Sequence, residues 1–131
     1  MRVIVGDDLI FSLHNISNIL KDLGHEVVGK ATNAVEVVRL YRQLTPDFVM
    51  MDVRGMNSFY DEELKEIDTF DAVEIIKKFD SKSKIIVITA TPETQFISSA
   101  FKKGADGVLV KGFNREKLQE TVEKIFSKKK T

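Results

Sequence analysis

Short apolar runs alternate with longer amphipathic segments along the whole chain. The apolar runs are rich in Val, Ile, Leu and Met, and most of their length lacks the period-two alternation of a strand with one solvated face. Such runs are typical of parallel strands that are covered on both sides. They predict five strands, at residues 2–5, 26–30, 47–51, 84–88 and 107–110.

The segments between these runs carry apolar residues at three- and four-residue spacing, which predicts helices with one buried face. The first helix ends at Gly24, a residue type that readily adopts the left-handed conformation found after helices. The second begins at Asn33, with Glu36 three residues later as in a capping box, and it ends before Pro46. The apolar positions of the first helix are Leu9, Leu13, Ile16, Leu20 and Leu23.

Three further helices follow the third, fourth and fifth strands. The third is predicted to begin near Asp68 or Thr69. The fourth takes Thr91 as its cap, has Pro92 in its first turn and ends at Gly104. The predicted buried residues are Val73, Ile76 and Phe79 in the third helix, Phe96, Ile97, Ala100 and Phe101 in the fourth, and Leu118, Val122 and Ile125 in a fifth that begins near Asn114.

This regular repetition of strand and helix predicts an α/β protein. Right-handed crossovers between parallel strands give a doubly wound, five-stranded parallel sheet with helices on both faces. The second strand ends in Gly29 and Lys30 and contributes no acid or hydroxyl, which fits an edge position in the strand order 2-1-3-4-5. Residues 54–67 interrupt the repetition, and their acidic, weakly periodic sequence predicts a mobile loop with one helical turn.

The composition fits one domain. The chain has 131 residues, 43% of them hydrophobic, enough for a single core over residues 1–127, followed by a basic tail at 128–131. The 20 basic and 20 acidic side chains balance, which argues against a general nucleic-acid or membrane-surface binder. Since there are no cysteines, no signal-peptide pattern and no apolar run of membrane length, we expect a soluble cytoplasmic protein.

Candidate chemistry lies where the predicted strands end. In an open parallel sheet, ligands bind beyond the carboxyl ends of the strands. The first strand is followed by Asp7 and Asp8, the third by Asp52, the fourth by Thr89 and the fifth by Lys111. We therefore expect these five side chains to converge on one polar pocket.

Three carboxylates in one pocket repel one another unless a cation neutralises them. A hard divalent cation with oxygen ligands does so, and Mg²⁺ fits a site with a few carboxylates and retained waters. Separate explanations stay open for each residue: Asp8 as a helix cap, Asp52 as a strand-end cap, Thr89 as a turn hydroxyl and Lys111 as a surface lysine.

The motifs VIVGDD, FVMMD, VITAT and GADGVLVKGF, in this order, resemble the receiver domain of two-component response regulators. The similarity extends over essentially the entire chain, and it is to the single-domain, chemotaxis-type form with its flavodoxin-like or CheY-like fold.

The resemblance implies a role for each candidate residue. Asp52 would accept a phosphoryl group, either from the phosphohistidine of a histidine kinase or from a small phosphodonor. Asp7, Asp8 and Asp52, together with the backbone carbonyl of Arg54, would bind Mg²⁺. Lys111 would pair with the acyl phosphate, and Thr89 would move towards it. Such a protein catalyses its own phosphoryl transfer and aspartyl-phosphate hydrolysis and is not a conventional enzyme.

The resemblance also implies partners. A sensor histidine kinase or a phosphotransfer protein would supply the phosphoryl group, and a separate output protein would read the phosphorylated state. The readout surface in such proteins is usually the fourth helix, fifth strand and fifth helix, a surface that also allows a homodimer. Neither nucleic acid nor a membrane is expected as a direct partner.

Three features depart from the family pattern. Gly112 follows the active-site lysine where most receivers have proline, and Val108 stands where a switching Tyr or Phe is common. The loop after Asp52 reads Gly55-Met56 in place of the usual Met-Pro turn. These departures leave open a degenerate receiver that acts as a constitutive protein-binding module without phosphorylation.

Two other function classes fit the fold but lack their sequence signatures. A phosphohydrolase with an aspartyl nucleophile typically carries Asp-x-Asp on one strand and a cap domain. A flavin or nucleotide binder needs a glycine loop that cradles phosphate, and the chain contains no GxxxxGK[ST]. Both classes rank below the signalling switch.

Overall fold

Five strands and five helices alternate along the part of the chain described by the computed structural model, which covers residues 1–52, 67–90 and 92–127. In chain order the elements are β1 Arg2–Gly6, α1 Ile10–Asp22, β2 Glu26–Ala31, α2 Ala34–Leu44, β3 Phe48–Asp52, α3 Thr69–Phe79, β4 Ile85–Thr89, α4 Thr94–Lys103, β5 Gly107–Val110 and α5 Arg115–Ser127. None of the helices in this description is long and apolar enough to cross a membrane. The predictions for Arg54, loop residues 54–66 and tail residues 128–131 fall outside the described residues.

The strands form one parallel sheet in the order β2-β1-β3-β4-β5, which confirms the predicted topology. Gly6, at the end of β1, lies beside Met51 of β3. Asp52, the last residue of β3, lies beside Ile88 of β4. Because these strands end at similar heights, the residues at and after their carboxyl ends meet at one edge of the sheet.

A hydrophobic core lies on each face of the sheet. Successive residues of a strand point to opposite faces. Val49 and Met51 of β3 therefore pack on the side of α2, α3 and α4, whereas Phe48 and Met50 pack on the side of α1 and α5. Every residue of β3 and β4 is buried. Burial on both faces explains why these strands have continuous apolar sequences, and it confirms the predicted two-sided helical cover.

Local capping sets several of the helix boundaries. The Asn33 side chain accepts a hydrogen bond of 2.9 Å from the backbone N–H of Glu36 at the start of α2. Asp68 and Asp71 form a reciprocal capping box at the start of α3, which confirms the predicted position of that start. Gly24, with φ of 91°, adopts the left-handed conformation after α1.

The predicted start of α4 is wrong. The N-cap residue of α4 is Glu93, two positions after the predicted cap at Thr91, and the helix proper begins at Thr94. The backbone N–H of Ile97 donates to the carbonyl of Glu93 at 3.3 Å. Pro92 therefore precedes the helix and does not lie in its first turn.

Three residues that were predicted to face the core are exposed instead. Leu9, 55% exposed, is the N-cap residue of α1 and precedes its first turn. Phe79, 52% exposed, is the last residue of α3, and its ring meets Tyr41 edge-on at a centroid distance of 6.3 Å. Phe101, 45% exposed, lies on α4. Apolar spacing identifies a helix face, but the packed neighbours decide how much of that face is covered.

Candidate functional site

Four polar residues lie at the carboxyl edge of the sheet, each in a different strand or directly after one. Asp7 follows β1, Asp52 ends β3, Thr89 ends β4 and Lys111 follows β5. Asp7, Asp52 and Thr89 are at most 1% exposed. Backbone hydrogen bonding between β4 and β5 extends to this edge, since the N–H of Lys111 donates to the carbonyl of Thr89 at 2.7 Å.

The two adjacent acids have different local roles. One carboxylate oxygen of Asp7, Oδ1, accepts a hydrogen bond of 2.9 Å from the backbone N–H of Leu9. Leu9, rather than Asp8, is the N-cap residue of α1, and its side chain makes no capping hydrogen bond. The interpretation of Asp8 as a simple helix cap is therefore wrong. Asp8 remains available for another role in the pocket.

Lys111 joins the acids from β1 and β3. Its Nζ atom lies 2.5 Å from Oδ2 of Asp52 and 3.6 Å from Oδ2 of Asp7. The lysine side chain is 28% exposed, whereas the two carboxylates are almost fully enclosed. The structure thus brings together Asp7, Asp52 and Lys111, as the strand order requires.

Burial and mutual repulsion shift the protonation of the acid pair. Burial raises the pKa of Asp7, and the charge of Asp52 raises it further, while the hydrogen bond from Leu9 and the charge of Lys111 oppose the shift. Burial also raises the pKa of Asp8, with a further contribution from Asp52. For Lys111, burial alone would lower the pKa, but contact with Asp52 and Asp7 raises it overall. The lysine is therefore held in its charged form.

The acid cluster contains oxygen atoms that could bind a cation. Oδ2 of Asp7 and Oδ1 of Asp8 are buried and accept no hydrogen bond from the described residues. The ammonium group of Lys111 contacts Asp52, and its charge also acts on Asp7 and Asp8. Within the described ranges, no group of three acidic, histidine or cysteine side chains is arranged so that it could hold a metal ion. Asp7 and Asp8 supply oxygen donors of the kind that Mg²⁺ takes, and this ion needs few protein ligands because it retains several waters.

Thr69 is a neighbour of the site that sequence reasoning did not identify. Its hydroxyl donates a hydrogen bond of 2.9 Å to the backbone carbonyl of Asp52, and the residue is 1% exposed. The sequence predicted a helix start at this position but assigned the residue no role. The sequence offered one indication of this contact. In an alternating fold each helix begins at the sheet edge where the preceding strand ends, so the first residue of α3 can be expected near the end of β3. The backbone carbonyl of Arg54, the remaining predicted ligand, lies outside the described residues.

The raised pKa of Asp8 predicts a direction for the pH dependence of stability. A carboxyl whose pKa is raised in the folded state contributes stability that is complete below its unfolded pKa of about 3.9 and is lost as the pH rises through the folded value. We expect Asp8→Asn to become more stable relative to wild type as the pH increases from about 4 to about 7. Urea unfolding at both pH values, with a chelator present, measures this difference.

The exposed Glu123→Gln variant on α5 controls for the loss of one acidic side chain remote from the pocket. If the stability difference between Asp8→Asn and wild type is the same at both pH values, the argument from burial is incorrect.

A parallel sheet of this strand order, with an acid pair, a central acid and a lysine at its carboxyl edge, defines the receiver class of α/β proteins. The family model described as the response regulator receiver domain matches residues 3–123. The chain belongs to this family. Among its relatives is the chemotaxis protein CheY of Thermotoga maritima, 34% identical over 124 residues that cover 95% of this chain and 96% of the relative. CheY of Bacillus subtilis is 30% identical over 126 residues, covering 96% of this chain and 98% of that protein.

Solved structures show the same fold. A LuxR-family two-component response regulator from Aurantimonas is 27% identical, with a TM-score of 0.83 and coverage of 96% of this chain and 84% of that chain. A crystal structure of the CheX-CheY-BeF3-Mg+2 complex from Borrelia burgdorferi also gives a TM-score of 0.83, covering 98% of this chain and 90% of that chain. Its identity is 24%, so it supports the fold alone.

The structure gives a physical reason for one departure from the family pattern. Gly112, directly after Lys111, has φ of 93°. A proline ring holds φ near −65°, so proline could not adopt the backbone conformation found here. The loop that carries Lys111 therefore follows a path that suits glycine. Val108, the other departure on this side, is half-buried and packs against the core next to α2, α3 and α4.

Proposed function

We propose that this receiver domain is a phosphoacceptor signalling switch, in which Asp52 takes a phosphoryl group in a Mg²⁺-dependent reaction. The observation that carries the proposal is the contact of 2.5 Å between Lys111 Nζ and Oδ2 of the buried Asp52. It places one positive charge beside the acid, and the neighbouring Asp7 and Asp8 supply buried oxygens with capacity for a second. A phosphoryl group on Asp52 would therefore be surrounded by compensating charge.

Asp7, Asp8 and Asp52, with the carbonyl of Arg54, are the proposed protein ligands of Mg²⁺. When bound, the ion neutralises part of the acid cluster and the charge on the phosphoryl oxygens. The fit rests on the oxygens of Asp7 and Asp8 that accept no hydrogen bond from the described residues. A divalent cation would favour the charged forms of both carboxyls, against the burial that raises their pKa values.

The covalent step is a transfer between two nucleophiles. A carboxylate oxygen of Asp52 attacks phosphorus and forms an acyl phosphate, while the bond from phosphorus to the donor breaks. The donor is a phosphohistidine nitrogen of a kinase or phosphotransfer protein, or the oxygen of a small acyl phosphate, and it leaves with the bonding electron pair. Lys111 stays protonated and pairs with the transferred group, because its raised pKa keeps it charged.

Phosphorylation would act as a switch through added charge at the sheet edge. An acyl phosphate adds negative charge and several acceptor oxygens within reach of β4 and β5. Thr89, buried at the end of β4, is the proposed hydroxyl that responds to it. The response would alter the surface formed by α4, β5 and α5, which a separate output protein would read. We place the protein in the cytoplasm, where a sensor histidine kinase could supply the phosphoryl group.

Uptake of a phosphoryl group tests this proposal directly. We expect wild-type protein incubated with acetyl phosphate and Mg²⁺ to gain the mass of one phosphoryl group, measured on the intact protein. Removal of Mg²⁺ by a chelator should abolish the gain, because the acid cluster then repels the anionic donor. Excess Mg²⁺ added after the chelator should restore it.

Absence of any mass gain in wild type with Mg²⁺ would contradict the proposal. That result would favour the alternative of a degenerate receiver that binds partners constitutively. A gain of equal size with chelator present would contradict the metal dependence while leaving the phosphoacceptor role in place.

A further inference from the structure

The hydroxyl of Thr69 links the first residue of α3 to the last residue of β3. Its Oγ1 atom donates a hydrogen bond of 2.9 Å to the carbonyl oxygen of Asp52, across 17 positions of sequence. Both residues are 1% exposed, so water does not compete for this bond. The contact thus fixes the backbone of Asp52 at the point where β3 leaves the sheet.

The start of α3 is held in place without the help of this hydroxyl. Asp68 accepts a hydrogen bond of 2.8 Å from the backbone N–H of Asp71, and the Asp71 carboxylate accepts one of 3.2 Å from the backbone N–H of Asp68. Ala72 and Ile76 of the same helix are buried in the core. The Thr69 hydroxyl is therefore not required as a helix cap, and it projects from a rigid element onto Asp52.

A bond to the Asp52 carbonyl restricts the reacting carboxylate as well. The carbonyl carbon and the side chain are attached to the same Cα atom, so a displacement of the main chain at the strand end also shifts the carboxylate. That carboxylate lies 2.5 Å from Lys111 Nζ, a separation that a small shift would change. Misplacement of a reacting group by about 1 Å can slow a reaction about a hundredfold.

We propose that Thr69 is a positioning residue, whose hydroxyl holds the backbone of Asp52 so that the carboxylate faces Lys111 in the geometry needed to accept a phosphoryl group. The inference rests on the proposed function, because positioning matters only if Asp52 is the acceptor. Thr69 touches neither the phosphodonor nor the carboxylate in this account, and it acts through the main chain of Asp52.

The test compares three variants of the full chain. Thr69→Val removes the hydroxyl and retains the shape, and Thr69→Ser retains the hydroxyl. The matched control is Thr121→Val, because Thr121 is also buried and its hydroxyl also donates to a backbone carbonyl, that of Lys117, at 2.8 Å on the remote helix α5. Urea unfolding of each variant records the structural cost of the change.

Two functional readouts separate positioning from stability. The first is the rate constant of phosphoryl uptake from acetyl phosphate at saturating Mg²⁺, followed by intact mass. The second is the calorimetric affinity for beryllofluoride with Mg²⁺, a stand-in for the phosphoryl group on Asp52. We expect Thr69→Val to lower both about tenfold, the size typical of one lost buried hydrogen bond that orients a reacting group. Thr69→Ser should stay within about twofold of wild type in both measurements. The control Thr121→Val should have the same uptake rate and affinity as wild type.

Equal rates and affinities in wild type and Thr69→Val would overturn the inference and leave the proposed function intact. A loss in Thr69→Ser as large as in Thr69→Val would also overturn it, since the methyl group rather than the hydroxyl would then matter. Failure of wild type to take up any phosphoryl group would instead refute the proposed function and the inference with it. If Thr69→Val does not fold, Thr69→Ala supplies the same comparison, because alanine is well tolerated in the first turn of a helix.

Discussion

The Asp52→Asn variant is expected to gain no phosphoryl group from acetyl phosphate and Mg²⁺ under conditions in which wild type is fully modified. An amide is neutral and cannot form the acyl phosphate, so the loss should be complete rather than partial. The variant should remain folded, because the substitution removes a negative charge whose repulsion acts on the buried acids Asp7 and Asp8. Intact mass measurement reports the modification, and urea unfolding reports the fold.

The matched control for this variant is Asp22→Asn. Asp22 lies at the end of α1, where its half-exposed carboxylate pairs with Arg115 at 2.5 Å, and an exposed pair contributes little to stability. This variant should be modified as fast as wild type. Phosphoryl uptake by Asp52→Asn would show that a different residue is the acceptor, and peptide mapping of the modified protein would locate it.

Ile88→Ala is expected to lower the free energy of unfolding by about 2–5 kcal/mol. Ile88 is fully buried on the face of the sheet covered by α1 and α5, and it lies beside Asp52 in the register of β3 and β4. The truncation removes apolar contacts and leaves a cavity beneath the site. Since domains of this size are stable by about 5–15 kcal/mol, the loss should be visible as a large shift of the urea midpoint.

A graded series distinguishes the cavity from a general effect of mutation. Ile88→Val removes one methylene group and should cost about 0.5–1.5 kcal/mol. Val110→Ala, at a position 37% exposed on β5, should cost about 0.5 kcal/mol. An Ile88→Ala variant no less stable than Ile88→Val would contradict the packing described here.

The sheet could be predicted because both of its faces are covered. Strands such as β3 and β4 are then apolar up to their last residues, Asp52 and Thr89, and their short length favours strands over buried helices. The helix starts that carry their own caps were also predictable, as Asn33 and Asp68 demonstrate. The start of α4 was not, because Glu93 makes no side-chain capping hydrogen bond and a more typical cap pattern occurred two residues earlier.

Exposure was harder to predict than secondary structure. Phe79 and Phe101 satisfy the apolar spacing of their helices, yet both are about half exposed. Phe79 is at the end of α3, where the helix extends beyond the core, and its ring packs against Tyr41 from outside. Periodicity describes one element at a time, whereas coverage depends on the elements packed against it.

By itself, the sequence determined the strand and helix order, the parallel sheet and which acids, hydroxyl and lysine would stand at its carboxyl edge. Only the tertiary structure decided that Lys111 contacts Asp52 more closely than Asp7, and that a hydroxyl from α3 holds the Asp52 carbonyl. The physical reason is range: apolar periodicity and helix caps involve neighbours along the chain, whereas these contacts join residues distant in sequence that only the packed sheet brings together.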